Sequence, residues 1–275
     1  MKSRRPSIEL VEKWIVRGDG QGQGKNFDPF FYVRDVPSRG RSRMPLGLKT
    51  GRTHQLLSDI EWGYHLLAED NPNIVDISEC FALLPWQETQ EIAHELGIRH
   101  PTWPGTMTPM VMTTDQVLTF IESGIESIGA ICIKPSCDTD LDNAKSPSER
   151  ARIRRVLEKI LIEGIFWERR VTPFRVCTEL DLPMNRVTNL DHLWIGMVSK
   201  ELDRLDPLMP AFIDIFTKYW VEDRRFLSIL KLVSQKLSLD IDHSYTLFAR
   251  AVWLRLLPVD IDTEIIHYEK PLLHS

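Results

Sequence analysis

Two stretches that read as buried strands each carry one charge. MTTDQVLTF holds Asp115, and GAICIKPS holds Lys134, 19 residues further on. A charge inside an apolar strand is costly unless it has a partner or an ion. Period-two alternation puts Asp115 on the face of Val111 and Val117. It puts Lys134 with Cys132 and Ala130, while Ile131 and Ile133 point the other way. If the strands are neighbours, the carboxylate and the ammonium meet at one end of a sheet. Two explanations fit. One is a plain Asp–Lys ion pair. The other is a divalent cation held by the acid beside a phosphate, with the lysine offsetting charge that develops there.

The surrounding pattern mixes helices and strands. Residues 1–17 read as a short amphipathic helix, and FFYVRDVP as a strand ending at Pro37. A helix is expected from about His54 to Asp70, ended by Asn71-Pro72, with Leu56, Leu57, Ile60, Tyr64 and Leu67 at helical spacing. IVDISECFALLP reads as a strand and QETQEIAHELGI as a helix; the turn ESGIESIG joins the two charged strands. Those two are apolar on both faces apart from the charges, which suits central strands covered on each side. Ser146-Pro147-Ser148-Glu149 announces a helix running to about Arg170. TPFRVCTE is the next strand. The order predicts an α/β domain with a covered sheet over residues 1–178. Residues 179–275 read as successive helices, with IDTEIIHYEKPLL as a closing strand, and form a second, mainly helical domain.

Two further acids bear on the Asp115–Lys134 pair. Glu61 has apolar Leu57 and Tyr64 as helical neighbours, and Glu163 has Ile160, Phe166 and Trp167. Both sit at the edge of a buried face, where metal ligation and a local salt bridge are both open. The histidines offer no zinc-helix spacing with a matched glutamate and read as core or surface residues.

Charge is uneven. Residues 1–52 hold 12 Lys/Arg against 5 Asp/Glu, whereas the whole chain is at −5. The loop SRGRSRMPLGLKTGR spreads Arg39, Arg41, Arg43, Lys49 and Arg52 along a glycine-containing segment that leads into the Glu61 helix. Phosphate contacts come mainly from such residues, so this loop is the candidate DNA-binding segment; a solvated basic loop is the alternative. GDGQGQGKN is not a nucleotide-binding loop, because Asp19 stands where the first glycine belongs and Asn26 where Ser or Thr must follow the lysine. Its exposed amides could still meet phosphate. No apolar run approaches the roughly 20 residues of a membrane span, and the basic N-terminus lacks the apolar core of a secretory signal. The four cysteines form no CxxC and read as reduced thiols of a cytoplasmic protein.

RGDGQGQGKNFDPFFYVRDVPSRGRSR, LKTGRTHQLLSDIE, VDISECFALLPWQETQEIAHELGIRHP, MTTDQ, AICIKP and LEKILIEGIFW follow in consistent order from about Arg17 to Trp167. Together they resemble the TnsA-type endonucleases of heteromeric cut-and-paste transposons. The resemblance implies a restriction-endonuclease-like, PD-(D/E)xK fold for residues 1–178 and a winged-helix-like second domain over 179–275. It implies Mg²⁺-dependent nicking of the non-transferred strand, at the 5′ ends of the transposon, with Mn²⁺ able to substitute. Residue by residue, it makes Glu61 of SDIE and Asp115 of TTDQ metal ligands, Lys134 of ICIKP the catalytic lysine, and Glu163 of LEKILIEG the fourth active-site carboxylate. The partners it implies are double-stranded DNA at transposon ends, a DDE-type transposase subunit and an ATPase regulator, met chiefly through the second domain. The setting is the bacterial cytoplasm, at the nucleoid when active, with no membrane partner.

One position departs from the pattern. Nucleases of the wider fold place an acid two residues before the lysine, TnsA-type proteins tend to place glutamine, and this chain has Cys132. Sulfur is a poor match for Mg²⁺, so coordination is expected from Asp115, Glu61 and the backbone carbonyl of Ile133. The rival expectation is a non-catalytic DNA-binding assembly subunit in which Cys132 marks a lost site.

Overall fold

In the computed structural model, which describes residues 2, 5–36, 40–221 and 223–275, one four-stranded sheet organises the first part of the chain. Its strands are β1 (Ile74–Ala82), β2 (Thr113–Glu122), β3 (Ile125–Ile133) and β4 (Phe174–Cys177), in that spatial order. β1, β2 and β3 are antiparallel neighbours, and β4 joins β3 in parallel, Ala130 opposite Phe174. A parallel neighbour needs a crossover, and helix α4 (Pro147–Glu168) supplies it. Ser146 caps α4 by accepting from the Glu149 amide at 3.1 Å.

The hairpin is longer than the sequence suggests. β2 runs to Glu122 and β3 resumes at Ile125, so the turn is only Ser123-Gly124, both at positive φ (51° and 77°). That is the two-residue geometry whose twist matches the strands it joins. The outer half of β3 is exposed, and only its inner half is covered. There, Val117 and Ala130 pack with Ile162, Phe166 and Trp167 of α4 and Ile92 of helix α3 (Trp86–Glu95). Leu118 and Ile77 pack with Ala68 of helix α2 (Asp59–Asp70) on the other side.

α2 starts later than its apolar spacing predicts. Ser58 is the N-cap, and residues before it are extended, with Arg43 bridged to Leu56 and Leu46 to Thr53. Among the described residues 30–36, the strand expected at FFYVRDVP also does not form. Phe30 and Phe31 drop into an aromatic cluster with Trp14 and Trp103, and Val33–Asp35 make a single 3-10 turn capped by Asp35. Pro37 lies outside the described residues. Helix α1 (Ile8–Arg17) buries Val11 and Trp14 in the same cluster.

The glycine segment is packed. Gly20, at φ 74°, lies so close to β1 that a Cβ would meet that of Ala82 at 2.3 Å. Its amide donates to Asp28 O, and that of Gly24 to Asp76 Oδ2 at 2.8 Å. Close approach accounts for the glycine, and both amides are satisfied within the fold.

The chain divides into two units, Met1–Leu182 and Pro183–Ser275. The second contains α5 (Met184–Leu193), α6 (Ile195–Val198), α7 (Leu202–Leu205), α8 (Met209–Tyr219), α9 (Phe226–Leu237) and α10 (Ile241–Trp253). Phe212, Phe216, Phe226 and Phe248 are fully buried and stack into its core. Its closing strand does not form among the described residues. Buried Asn189 donates to Ile261 O and Glu264 O and accepts from Ile266 N, all within 2.9 Å, which holds the segment irregular. Two isolated bridges, Arg225–Pro271 and Val259–His274, stand in place of a strand pair.

Candidate active site

The two charged strands are neighbours, and their charges meet. Gln116 pairs with Ile131, which brings Asp115 alongside the end of β3. Asp115 Oδ2 accepts from the Ile133 amide at 2.6 Å and from Lys134 Nζ at 2.5 Å. Lys134 Nζ also reaches Ile133 O at 3.1 Å, and its amide donates to Cys177 O of β4. Burial works against the ammonium, but the Asp115 carboxylate outweighs it and lifts the lysine above its usual range. Lys134 is therefore a fixed cation at neutral pH.

The backbone is irregular at this point. Cys80, at φ 47°, falls between Glu79 and Phe81, the partners of Gln116 and Thr114, and so lies across from Asp115. A non-glycine residue in that region is strained. Strict alternation fails here too, because Thr114 and Val117, three residues apart, both reach the α4 side.

Two more carboxylates approach from helices. Glu61 is buried at 7% exposure rather than at the edge of a face. The reason is local: it is the third residue of α2, bound to its own cap. Its carboxylate accepts from the Leu57 amide at 2.8 Å and Ser58 Oγ at 3.1 Å, while its amide donates to Ser58 Oγ. The S-x-x-E signature of such a cap stands in SDIE and marks the true helix start. Glu163 projects from α4, where Thr114 Oγ1 donates to its Oε1 at 2.8 Å and Trp167 Nε1 donates to Thr114 Oγ1 at 2.7 Å. Burial first, then the charge of Asp115, pushes both glutamates up to about 7. The Cys132 thiol is wholly buried, hydrogen-bonded to Glu163, and pushed up by burial and by that carboxylate, so it is neutral.

Asp115, Lys134 and Glu163 line one cleft of about 320 Å³ with Lys159, between α4 and the segment entering β2. Its walls include Phe31, Met110, Val156 and Ile160. Glu61 is felt electrostatically from outside that lining.

The basic loop is divided. Arg41 is exposed. Arg43 is partly buried, 3.2 Å from Asp59 and over the Trp62 ring. Lys49 is half-buried and donates to Asn71 O at 2.8 Å. Arg39 lies outside the described residues. Arg52 corrects the expectation of a DNA contact: it is 9% exposed, and its guanidinium is spent on both oxygens of Glu79, at 2.7 and 2.6 Å, and on Ile77 O. Glu79 also accepts from His54 Nδ1 at 2.7 Å. Burial raises the Glu79 carboxyl, but the hydrogen bonds from His54 and Arg52 outweigh it and hold it down at about 2.

His54, His65 and Glu69 bring possible ligand atoms within 4.8 Å of one another. Two of the three are engaged by the network: His54 Nε2 meets Thr50 Oγ1 at 2.8 Å, and Glu69 accepts the Leu48 and Lys49 amides; His65 Nε2 stands 3.5 Å from Glu69 Oε1. His54 thus acts as interior scaffolding.

Residues 71–179, which span the sheet and α4, match the family described as TnsA-like endonuclease N terminal. The chain is also 33% identical over 204 residues to the transposon Tn7 transposition protein TnsA of Escherichia coli, covering 72% of this chain and 68% of that protein. This chain belongs to the TnsA family. Its TnsA-like endonuclease domain is restriction-endonuclease-like, and the match includes Asp115, Lys134 and Glu163. The TnsA assignment makes the chain a nuclease of the transposition type. Sequence reading did not single out the hydrogen-bond chain of Thr114 and Trp167, or Lys159 in the cleft. The first two show only as an apolar strand and helix face, whereas Lys159 stands four residues before Glu163 on one side of α4 and was legible as its neighbour.

Proposed function

We propose that this chain is the Mg²⁺-dependent endonuclease subunit of a heteromeric transposase and nicks the non-transferred strand, at the 5′ ends of the transposon. One observation carries the reading: Glu61 and Glu163, from two helices, both feel the charges of Asp115 and Lys134, which are themselves an ion pair. Burial and repulsion raise both glutamates, and a hard divalent cation relieves that excess of negative charge. Asp115 and Glu61 are the proposed ligands, with the Ile133 carbonyl adding an oxygen; the neutral Cys132 thiol contributes little. Bound there, Mg²⁺ or Mn²⁺ supplies Lewis-acid stabilisation of the attacking and leaving oxygens. Lys134 serves as a positive charge beside the phosphate rather than as a base, since Asp115 keeps it protonated. A carboxyl that titrates near neutrality, as that of Glu163 does, suits a group that takes and releases a proton.

Arg41, Arg43 and Lys49, together with Arg39, are the proposed loop contacts to DNA phosphate. The proposed partners are transposon-end duplex, a DDE-type transposase subunit and an ATPase regulator, with the second unit as their docking element. A winged-helix-like assignment of that unit rests on its helices and on the family resemblance.

The test is strand-specific mapping of nicks at transposon ends, with the complete partner set and Mg²⁺. Asp115→Ala and Lys134→Ala are each expected to lower nicking by at least on the order of a hundredfold. Parent-like nicking by either variant sinks the assignment. Cys132 favours one second reading, a DNA-binding assembly subunit without catalysis, and any nicking of the non-transferred strand that Asp115→Ala abolishes excludes it.

A further inference from the structure

Four residues of α4, Val156, Lys159, Ile160 and Glu163, line the cleft, at the i, i+3, i+4 and i+7 positions of one helix face. Three of them have a settled role: two are apolar wall and Glu163 belongs to the carboxylate group. Lys159 is the exception. It is exposed to solvent, and among the described residues no carboxylate lies within ion-pair distance of it. Its neighbours along the helix are paired, Arg152 with Asp138 and Arg155 with Glu158 at 2.8 Å. Inside the cleft, Asp115 is taken by Lys134 and Glu163 by Thr114.

We propose that Lys159 is a substrate clamp, binding a non-bridging oxygen of the DNA phosphate next to the one that is cut; this rests on the nuclease reading above. The geometry supports the flanking phosphate. Lys159 stands about one helical turn, ~5.4 Å, from Glu163 along α4, which offsets its ammonium from the reacting centre while keeping it in the same cleft. A free, hydrated ammonium on a flexible stem suits a single phosphate oxygen. The apolar walls, Val156, Ile160 and Met110, leave Lys159 and Lys134 as the cationic groups lining the cleft.

The test is equilibrium binding of a short fluorescein-labelled DNA duplex to the full chain in Ca²⁺, which replaces Mg²⁺ to prevent cutting, across a range of salt. Each phosphate neutralised contributes about 0.9 to the slope of log affinity against log salt. Lys159→Gln is expected to lower the parent slope by roughly that amount, and Lys159→Arg to restore it. The Mn²⁺ concentration at half-maximal nicking in the assembled complex stays at the parent value. A Lys159→Gln slope equal to that of a DNA-binding parent overturns the clamp and leaves the nuclease reading standing. A shifted Mn²⁺ midpoint also overturns it, by moving Lys159 into the metal site. A parent that shows no salt-dependent binding also overturns the clamp, while the nuclease reading stands or falls on strand-specific nicking in the complete assembly.

Discussion

Glu163 and Glu61 are carboxylic acids placed where their charged forms are disfavoured, and the cost has a measurable sign. The Glu163 carboxyl is pushed up to about 7, against an ordinary glutamate near 4.5. Between those values the folded protein holds a proton that the unfolded chain releases. Stability from this group is therefore complete below the unfolded value and is lost as pH rises through about 7. Glu163→Gln removes the titration and keeps an oxygen to accept from Thr114. In chelator, the variant is expected to gain on the parent between pH 5 and 8, by on the order of 1–3 kcal/mol. Urea denaturation at the two ends of that range measures it, and a difference that does not change with pH refutes it. Much of this site was legible in the residues: Asp115 and Lys134 announced themselves as charges in apolar strands. The capping role of Glu61 was also written in SDIE. The thiol of Cys132 on Glu163 was not, because that contact joins residues 31 positions apart on a strand and a helix.

At the scale of elements, the loop before α2 shows how a local reading of charge fails. Arg52 sits among arginines and glycines, and nothing nearby marks it as different. Its partner Glu79 lies 27 residues away, inside β1. The pair ties the loop to the sheet, while His54 and Thr50 extend the same network. Truncating one member of a buried ion pair strands the other charge. Arg52→Ala is thus expected to cost on the order of 3–5 kcal/mol, and Arg52→Met with Glu79→Gln much less. Chemical denaturation separates the two; equal losses would show that packing, not charge, holds the loop. Element boundaries missed in the sequence have similar causes. Phe30 and Phe31 read as strand because both are apolar, but they fill an aromatic cluster in place of a sheet face. The expected C-terminal strand is held irregular by Asn189, a side chain from α5.

Across the whole chain, each unit has its own aromatic core, and eight tryptophans are spread through the sequence. The mixed α/β first unit and the helical second were readable from periodicity, because each rests on patterns of a dozen residues or more. Sheet order was not, since pairing depends on partners distant in sequence. Among the tryptophans, Trp167 holds a distinct place: its indole N–H donates to Thr114, whose hydroxyl donates to Glu163. The indole is thus two hydrogen bonds from a carboxyl beside the proposed metal site, one whose charge changes when a proton arrives. The molecule carries an optical probe of the proposed reaction centre. Its intrinsic fluorescence is expected to shift on titration with Mg²⁺, and the shift to vanish in Trp167→Phe while the other seven indoles still emit. Occupancy of the site can then be followed in unlabelled protein, without DNA and without turnover.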